Sequence, residues 1–292
     1  MIICNRKRDG GIGRRPGFLR RKGMKNYLLN DGNRIPEIGY GVWQVEDNIE
    51  ECVLAAIDAG YRHIDTASAY GNERGVGRAL KQSGLRREEF VVTTKLWNED
   101  MRQNRTADAL KESLEKLELD YVDLYLLHWP VPGKYIDCYL EIEKLREQGL
   151  IRSIGVSNCL QWQLDALLDR CNVVPAVNQI QVHPRWIQTE YIAYCQKKGI
   201  QIEAYSPLGH GDLLHHPVIE EVAAECGKST AQVIIRWHLQ RNVIVLPKSA
   251  TPSRIQENIQ VYDFELTEEQ MSRISGLNDE TCYGGHPDTF DF

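Results

Sequence analysis

The chain has 292 residues, 42% of them apolar and 26% charged. This is the profile expected of a soluble globular protein, long enough to bury a large core and to form a single α/β barrel. A net charge of −6 hides +7 in the first 23 residues and therefore −13 over the remainder, and an acidic body argues against nucleic acid as a partner. No apolar run is long enough to span a membrane, and eight scattered cysteines with no CxxC pair or Cys/His cluster argue against a disulfide scaffold or structural zinc and suit a reducing cytoplasm.

The basic head, residues 1–23, lacks the apolar segment of a secretory signal. Its Gly and Pro content argues against a stable amphipathic transit helix, and it reads as a disordered extension upstream of a natural start at Met24, with an RNA- or membrane-binding arm as the alternative. From there NYLLNDGNRIPEIG reads as a hairpin turning through Asn-Asp-Gly-Asn. Strand-like runs follow, ending near Val42, Thr66, Trp97, Trp129, Asn158, His183, Ser206 and Ser249. Between them lie helical patterns such as NIEECVLAAIDAG, RTADALKESLEKLEL and YIDCYLEIEKLREQG, with apolar residues at three- and four-residue spacing. The seventh crossover is longer and holds two helices, HPVIEEVAAECG and STAQVIIRWHLQR. LTEEQMSRISGL gives a last helix before an aromatic tail, YGGHPDTFDF. Eight strand-then-helix units predict a (β/α)8 barrel over residues 24–292, with an N-terminal hairpin and extra helices. The Gly-rich GIGRRPG follows no strand and is not a dinucleotide fingerprint.

In such barrels the strand C-termini share one opening. Asp65, Lys95 and His128 each end a predicted strand, and Tyr70 sits on the loop after Asp65. A phenol is a weak acid near neutrality, so it needs an ammonium beside it, a carboxylate to hold that ammonium, and an imidazole to orient a carbonyl oxygen. Taken singly, Asp65 fits a turn cap and His128 a satisfied core histidine. Four compatible types at four rim positions predict proton delivery to a carbonyl. Trp43, Trp97 and Trp129 follow strands at the same rim and suit an apolar substrate pocket.

Three separated segments carry a resemblance: GYRHIDTASAYGNE (60–73), SLEKLELDYVDLYLLHWP (113–130) and PKSATPSRIQEN (247–258). In these the chain resembles the aldo-keto reductase family, from about Asn26 to Phe292. The resemblance implies hydride transfer from a nicotinamide, with Tyr70 as proton donor, Lys95 and Asp65 tuning it, and His128 orienting substrate. It implies no metal. Tyr205 is the residue that would stack on the nicotinamide. Ser157, Asn158 and Gln179 would hold its carboxamide, with Asp65 also in the cofactor-binding set, Ser206 and Leu208 along the pyrophosphate, and Glu257 and Asn258 at the adenine. Lys248, Ser249 and Arg254 form a phosphate site that favours NADPH.

The short loops are closer in style to microbial members such as 2,5-diketo-D-gluconate reductases. They predict an open pocket tolerant of aldehydes, 2-oxoaldehydes and keto sugar derivatives, in a cytoplasmic monomer. Two positions depart from the family pattern. Cys159 stands where an aromatic is usual, and enlarges one flank of the site in this reading. Gln181 stands where Glu is common. The competing functions are a non-enzymatic nucleotide-sensing subunit on the same fold and Schiff-base chemistry at Lys95, which its pairing with Asp65 disfavours.

Overall fold

The structure, a computed structural model, describes residues 23–290. The expected disordered head therefore lies, Gly23 apart, outside the described residues. The chain opens with an antiparallel hairpin of β1 (Asn26–Leu28) and β2 (Arg34–Pro36). Its turn passes through Gly32 at φ 88°, a conformation that a side chain would oppose.

Eight parallel strands follow: β3 (Tyr40–Gly41), β4 (His63–Asp65), β5 (Val91–Leu96), β6 (Val122–Leu127), β7 (Ile151–Ser157), β8 (Val177–Gln181), β9 (Gln201–Tyr205) and β10 (Ile244–Val245). They pair in chain order from β3 to β10. The two ends then meet: Ile38 bridges Val245, and the N–H groups of Gly39 and Gly41 donate to Val245 O (2.9 Å) and Pro247 O (3.3 Å). The sheet is thus a closed (β/α)8 barrel, as the sequence predicts.

Helices α1 (Ile49–Ala59) and α2 (Glu73–Gln82) follow β3 and β4, and α3 (Asn98–Arg102) with α4 (Thr106–Leu117) follows β5. Then come α5 (Tyr135–Glu147), α6 (Gln161–Leu168) and α7 (Thr189–Lys197). The seventh crossover holds the two expected helices, α8 (Pro217–Cys226) and α9 (Thr230–Gln240), and α10 (Pro252–Asn258) and α11 (Glu268–Ser275) complete the set. Local sequence sets the boundaries. α1 buries Cys52, Val53, Ala56 and Ile57 on one face and stops at Gly60, whose φ of 107° lets its N–H close on Ala56 and Ile57 carbonyls. Ser229 and Gln232 make a reciprocal capping box at the start of α9.

One strand boundary differs from expectation. The eighth strand ends at Val245 rather than near Ser249, because Pro247 has no N–H to offer a ladder. Lys248 and Ser249 consequently lie on a loop.

The hairpin closes the floor of the barrel. Leu29 and Ile35 pack with Leu124, Leu126, Val177 and Ile244, and Asn33 Nδ2 donates to Ser153 Oγ at 3.0 Å. The strand C-termini form the opposite, open end. The helical layer packs tightly enough to need glycine at one crossing: a Cβ at Gly77 of α2 would lie 2.3 Å from Leu117 O of α4. Gly77→Ala should therefore destabilise by about 1–3 kcal/mol despite alanine's better helix propensity, and a Tm equal to or above the parent's would contradict this packing.

Candidate active site

Three adjacent strand C-termini deliver the polar groups. Asp65 ends β4, Lys95 lies one residue before the end of β5, and His128 follows β6. Lys95 is fully buried and donates to Asp65 Oδ1 at 2.8 Å and to Thr66 O at 2.9 Å. An ammonium has three N–H groups, and the third faces Tyr70, whose ring centroid is 5.1 Å from Nζ. Tyr70 reaches this place on a single 3-10 turn, Ser68–Tyr70, closed by Gly71 at φ 71°.

The rest of that motif pins the turn. Thr66 Oγ1 donates to Asn72 Oδ1 at 2.7 Å, while Asn72 Nδ2 donates to Val42 O and Val45 O at 2.8 and 3.1 Å. Ser68 Oγ holds Lys95 O at 2.9 Å, and the buried Glu73 takes the Thr94 hydroxyl at 2.7 Å. These partners stood in the motif, but sequence gave them no individual roles.

The electrostatics refine the sequence expectation of a lysine-tuned phenol. Burial dominates at Tyr70 and raises its pKa; Lys95 opposes that rise without overcoming it. The phenol is therefore held protonated, the state an acid must start from. Burial works against the Lys95 charge, yet Asp65 and then Tyr70 outweigh it and hold the ammonium above its ordinary pKa. His128 is pushed well below the usual imidazole range, by burial first and Lys95 second, so it is neutral. Its ring lies 5.7 Å from Tyr70 and 5.0 Å from Trp97, and its buried Nδ1 has no hydrogen-bond partner among the described residues.

The expected cofactor side gathers around β7 to β9. Ser157 Oγ donates to Gln179 O at 2.8 Å, and Asn158, at φ 57°, donates to His128 O and takes the Tyr205 hydroxyl at 2.7 Å. Gln179 Nε2 donates to Asp65 Oδ2 (2.8 Å) and Glu203 Oε2 (2.9 Å), leaving its oxygen as the group it can offer a ligand. Ser206, at φ 47°, lies within 3.1 Å of His210, and Leu208 packs on the core. Lys248 and Arg254 are exposed beyond β10, and Asn258 is buried. α10 has seven residues, so positive charge there resides mainly in the two side chains. A nicotinamide dinucleotide fits this set: an aromatic ring, convergent amides and two cations along one rim.

The pocket walls are only partly as expected. Trp97 lies against His128, Trp43 is 41% exposed and sits 5.6 Å from His210, and Trp129 stacks on Phe290 at 4.2 Å. Cys159 does not enlarge a flank of the mouth: it is 1% exposed and packed in the core beneath it. The apolar layer between sheet and helices accepts its small side chain there.

Residues 37–279 match the model of the aldo/keto reductase family. The chain belongs to that family. Among similar proteins, glyoxal reductase of Bacillus subtilis is 48% identical over 262 residues, covering 89% of this chain and 95% of its own. Methylglyoxal reductase DkgA of Salmonella typhimurium is 46% identical over 269 residues, covering 90% and 96%. The crystal structure of an aldo/keto reductase from Brucella melitensis superposes with a TM-score of 0.84 at 45% identity, covering 87% of this chain and all of that one. This aldo/keto reductase is accordingly an NAD(P)H-dependent oxidoreductase built for carbonyl reduction.

Beneath its Lys95–Asp65 pair lie two groups that sequence reasoning missed, His63 and Glu203. His63 Nε2 is 3.0 Å from Thr93 Oγ1 and 3.8 Å from Glu203 Oε1, all buried. The alternation of β4 puts His63 on the same face as Asp65, a signal that could have found it. His63, Asp65 and Glu203 bring ligand atoms within 4.8 Å of one another, but Lys95 and Gln179 aim N–H groups at the same carboxylates, which disfavours a metal cation. Burial drops His63 to about 4. Burial, then repulsion from Asp65, lifts Glu203 to about 8 against the pull of Gln179 and Lys95.

A pKa raised on folding means that the protonated carboxyl's stabilisation is complete below the unfolded value near 4.5 and is lost as pH rises through about 8. Glu203→Gln cannot ionise. Its stability relative to the parent should climb between those limits by an amount on the order of a few kcal/mol. Denaturant unfolding of both proteins at pH 5 and pH 8 checks this; a pH-independent difference would show that Glu203 is already charged.

Proposed function

We propose that the protein reduces small aldehydes and ketones, 2-oxoaldehydes and keto sugar derivatives among them, with NADPH as the preferred reductant, in the cytoplasm and as a monomer. The observation that carries this is the buried Lys95–Asp65 pair, with the third N–H facing Tyr70 and a neutral His128 beside it. The substrate class draws support from the similar proteins named glyoxal reductase and methylglyoxal reductase, each close to half identical to this chain. The free cysteines among the described residues suit a reducing compartment.

The nicotinamide cofactor supplies a hydride to the carbonyl carbon. The chain's own residues handle the oxygen. A neutral imidazole at His128 donates a hydrogen bond that orients the carbonyl and strengthens as negative charge grows there. Tyr70 gives its phenolic proton to that oxygen. The Lys95 ammonium, fixed by Asp65 and Thr66 O, then faces the phenolate and limits its energy. Gln179 holds Asp65 from the other side and would help hold the cofactor's carboxamide. Tyr205, tied to Asn158, would stack on the nicotinamide. Lys248 and Arg254 would hold the phosphate that distinguishes NADPH.

Tyr70→Phe should lower kcat by ~10²–10⁴-fold while NADPH binding, followed by fluorescence, is kept; near-parent turnover would remove Tyr70 as the acid. Arg254→Ala should weaken NADPH far more than NADH. Equal weakening of both in paired titrations would contradict the assigned phosphate contact.

A further inference from the structure

Gln181, where the family pattern commonly has Glu, performs a task that a carboxylate cannot. It lies two residues beyond Gln179 on β8, on the same face and nearer the mouth, and is 2% exposed. Its Nε2 donates to Tyr283 O at 2.7 Å, and its Oε1 accepts from Tyr283 N at 2.7 Å. One side chain thus pairs with both backbone groups of one tail residue, in the manner of a strand ladder.

The tail so held makes contacts around the opening. The Tyr283 ring stacks on His210 at 5.3 Å, and His210 in turn lies 5.6 Å from Trp43. Tyr283 OH donates to Asp212 Oδ2 at 2.8 Å, and Arg185 joins Asp212 at 3.0 Å to Asp279 at 2.7 Å. Further along, Phe290 lies flat on Trp129 with rings 4.2 Å apart. The loops after β6, β8 and β9 therefore meet the same tail.

We propose that Gln181 is a specificity-determining residue: it clips residues 279–290 over the mouth, and that clip makes the Phe290–Trp129 wall against which a ring-bearing carbonyl substrate packs. The specificity role rests on the carbonyl-reductase reading; the clip itself does not. A carboxylate has acceptors only. Glutamate at this position would keep the Tyr283 N–H but would face Tyr283 O with a lone pair, unless protonated. The amide makes docking of the tail independent of pH.

The titratable groups that face position 181 come from the exit of β8, from β9 and from the tail. His183, two residues past the end of β8, stands 3.0 Å from Oε1, and burial, then His238 and Arg185, depress it to about 3. Tyr205 from β9 and Cys282 from the tail are both raised by burial. Tyr283 from the tail is raised by burial and then by Asp212, which Arg185 partly offsets.

The test compares the full-length parent with Gln181→Glu and Gln181→Met. Amide hydrogen exchange at Tyr283 to Phe290, which needs no substrate, reads the clip. KM and kcat with benzaldehyde and with propanal, at pH 5.5 and 8, read the wall. Gln181→Met should lose tail protection at both pH values and raise KM for benzaldehyde about tenfold, with propanal and kcat changed less than about threefold. Gln181→Glu should behave like Gln181→Met at pH 8 and recover toward the parent at pH 5.5, where a protonated carboxyl can again donate to Tyr283 O. Parental protection in both variants would overturn the clip, and a released tail with unchanged benzaldehyde KM would overturn the wall. A parent protein inactive on every carbonyl compound would instead overturn the reductase reading, while exchange still decides the clip.

Discussion

A lysine with no exposed surface must be neutralised or discharged, and here the choice is made by Asp65 at 2.8 Å and Thr66 O at 2.9 Å. The penalty for burying a lone ammonium is several kcal/mol, so these partners are a condition of folding as well as of chemistry. Once they are fixed, the remaining N–H has one direction left, toward Tyr70. The strand ends that carry Asp65 and Lys95 are hydrogen-bonded neighbours in the barrel, which is why a buried ion pair can hold a reactive geometry without a flexible loop between its members.

The same neutralisation explains the layer below. Asp65 shares Gln179 with Glu203, and two carboxylates cannot both ionise beside one buried cation without a large repulsive term. Glu203 is the member that yields. A neutral acid beneath a charged pair keeps the local sum near zero, and it leaves Asp65 as the anion that Lys95 sees. The Tyr70 proton then belongs to a site already balanced, with burial rather than a bare lysine field setting its resting state.

Much of this was legible in the sequence because motifs are contiguous. GYRHIDTASAYGNE carries Asp65, Tyr70, and the Thr66 and Asn72 that pin the turn, all within one loop and its flanks. The barrel was legible from period and punctuation, and the eighth strand was misjudged only where Pro247 interrupts its ladder. What sequence did not reveal depends on distant chain segments: Gln179 meets Asp65 across 114 residues, and Gln181 meets Tyr283 across 102. No spacing rule connects such pairs. The pattern did flag Gln181 as unusual, but only the closed barrel shows what faces it. Cys159 was misread for a related reason, since position in a motif does not say whether a side chain points to the mouth or to the core.

The hairpin at the floor has a consequence for how such a molecule can change over evolutionary time. Leu29 and Ile35 seal the end of the barrel remote from catalysis and pack with inward residues of β6, β8 and β10. Cohesion is thereby concentrated at one pole and chemistry at the other. Loops and tail at the reactive pole can be lengthened, shortened or exchanged without unpacking that seal, so new substrate preferences can be sampled by a scaffold whose integrity is secured elsewhere.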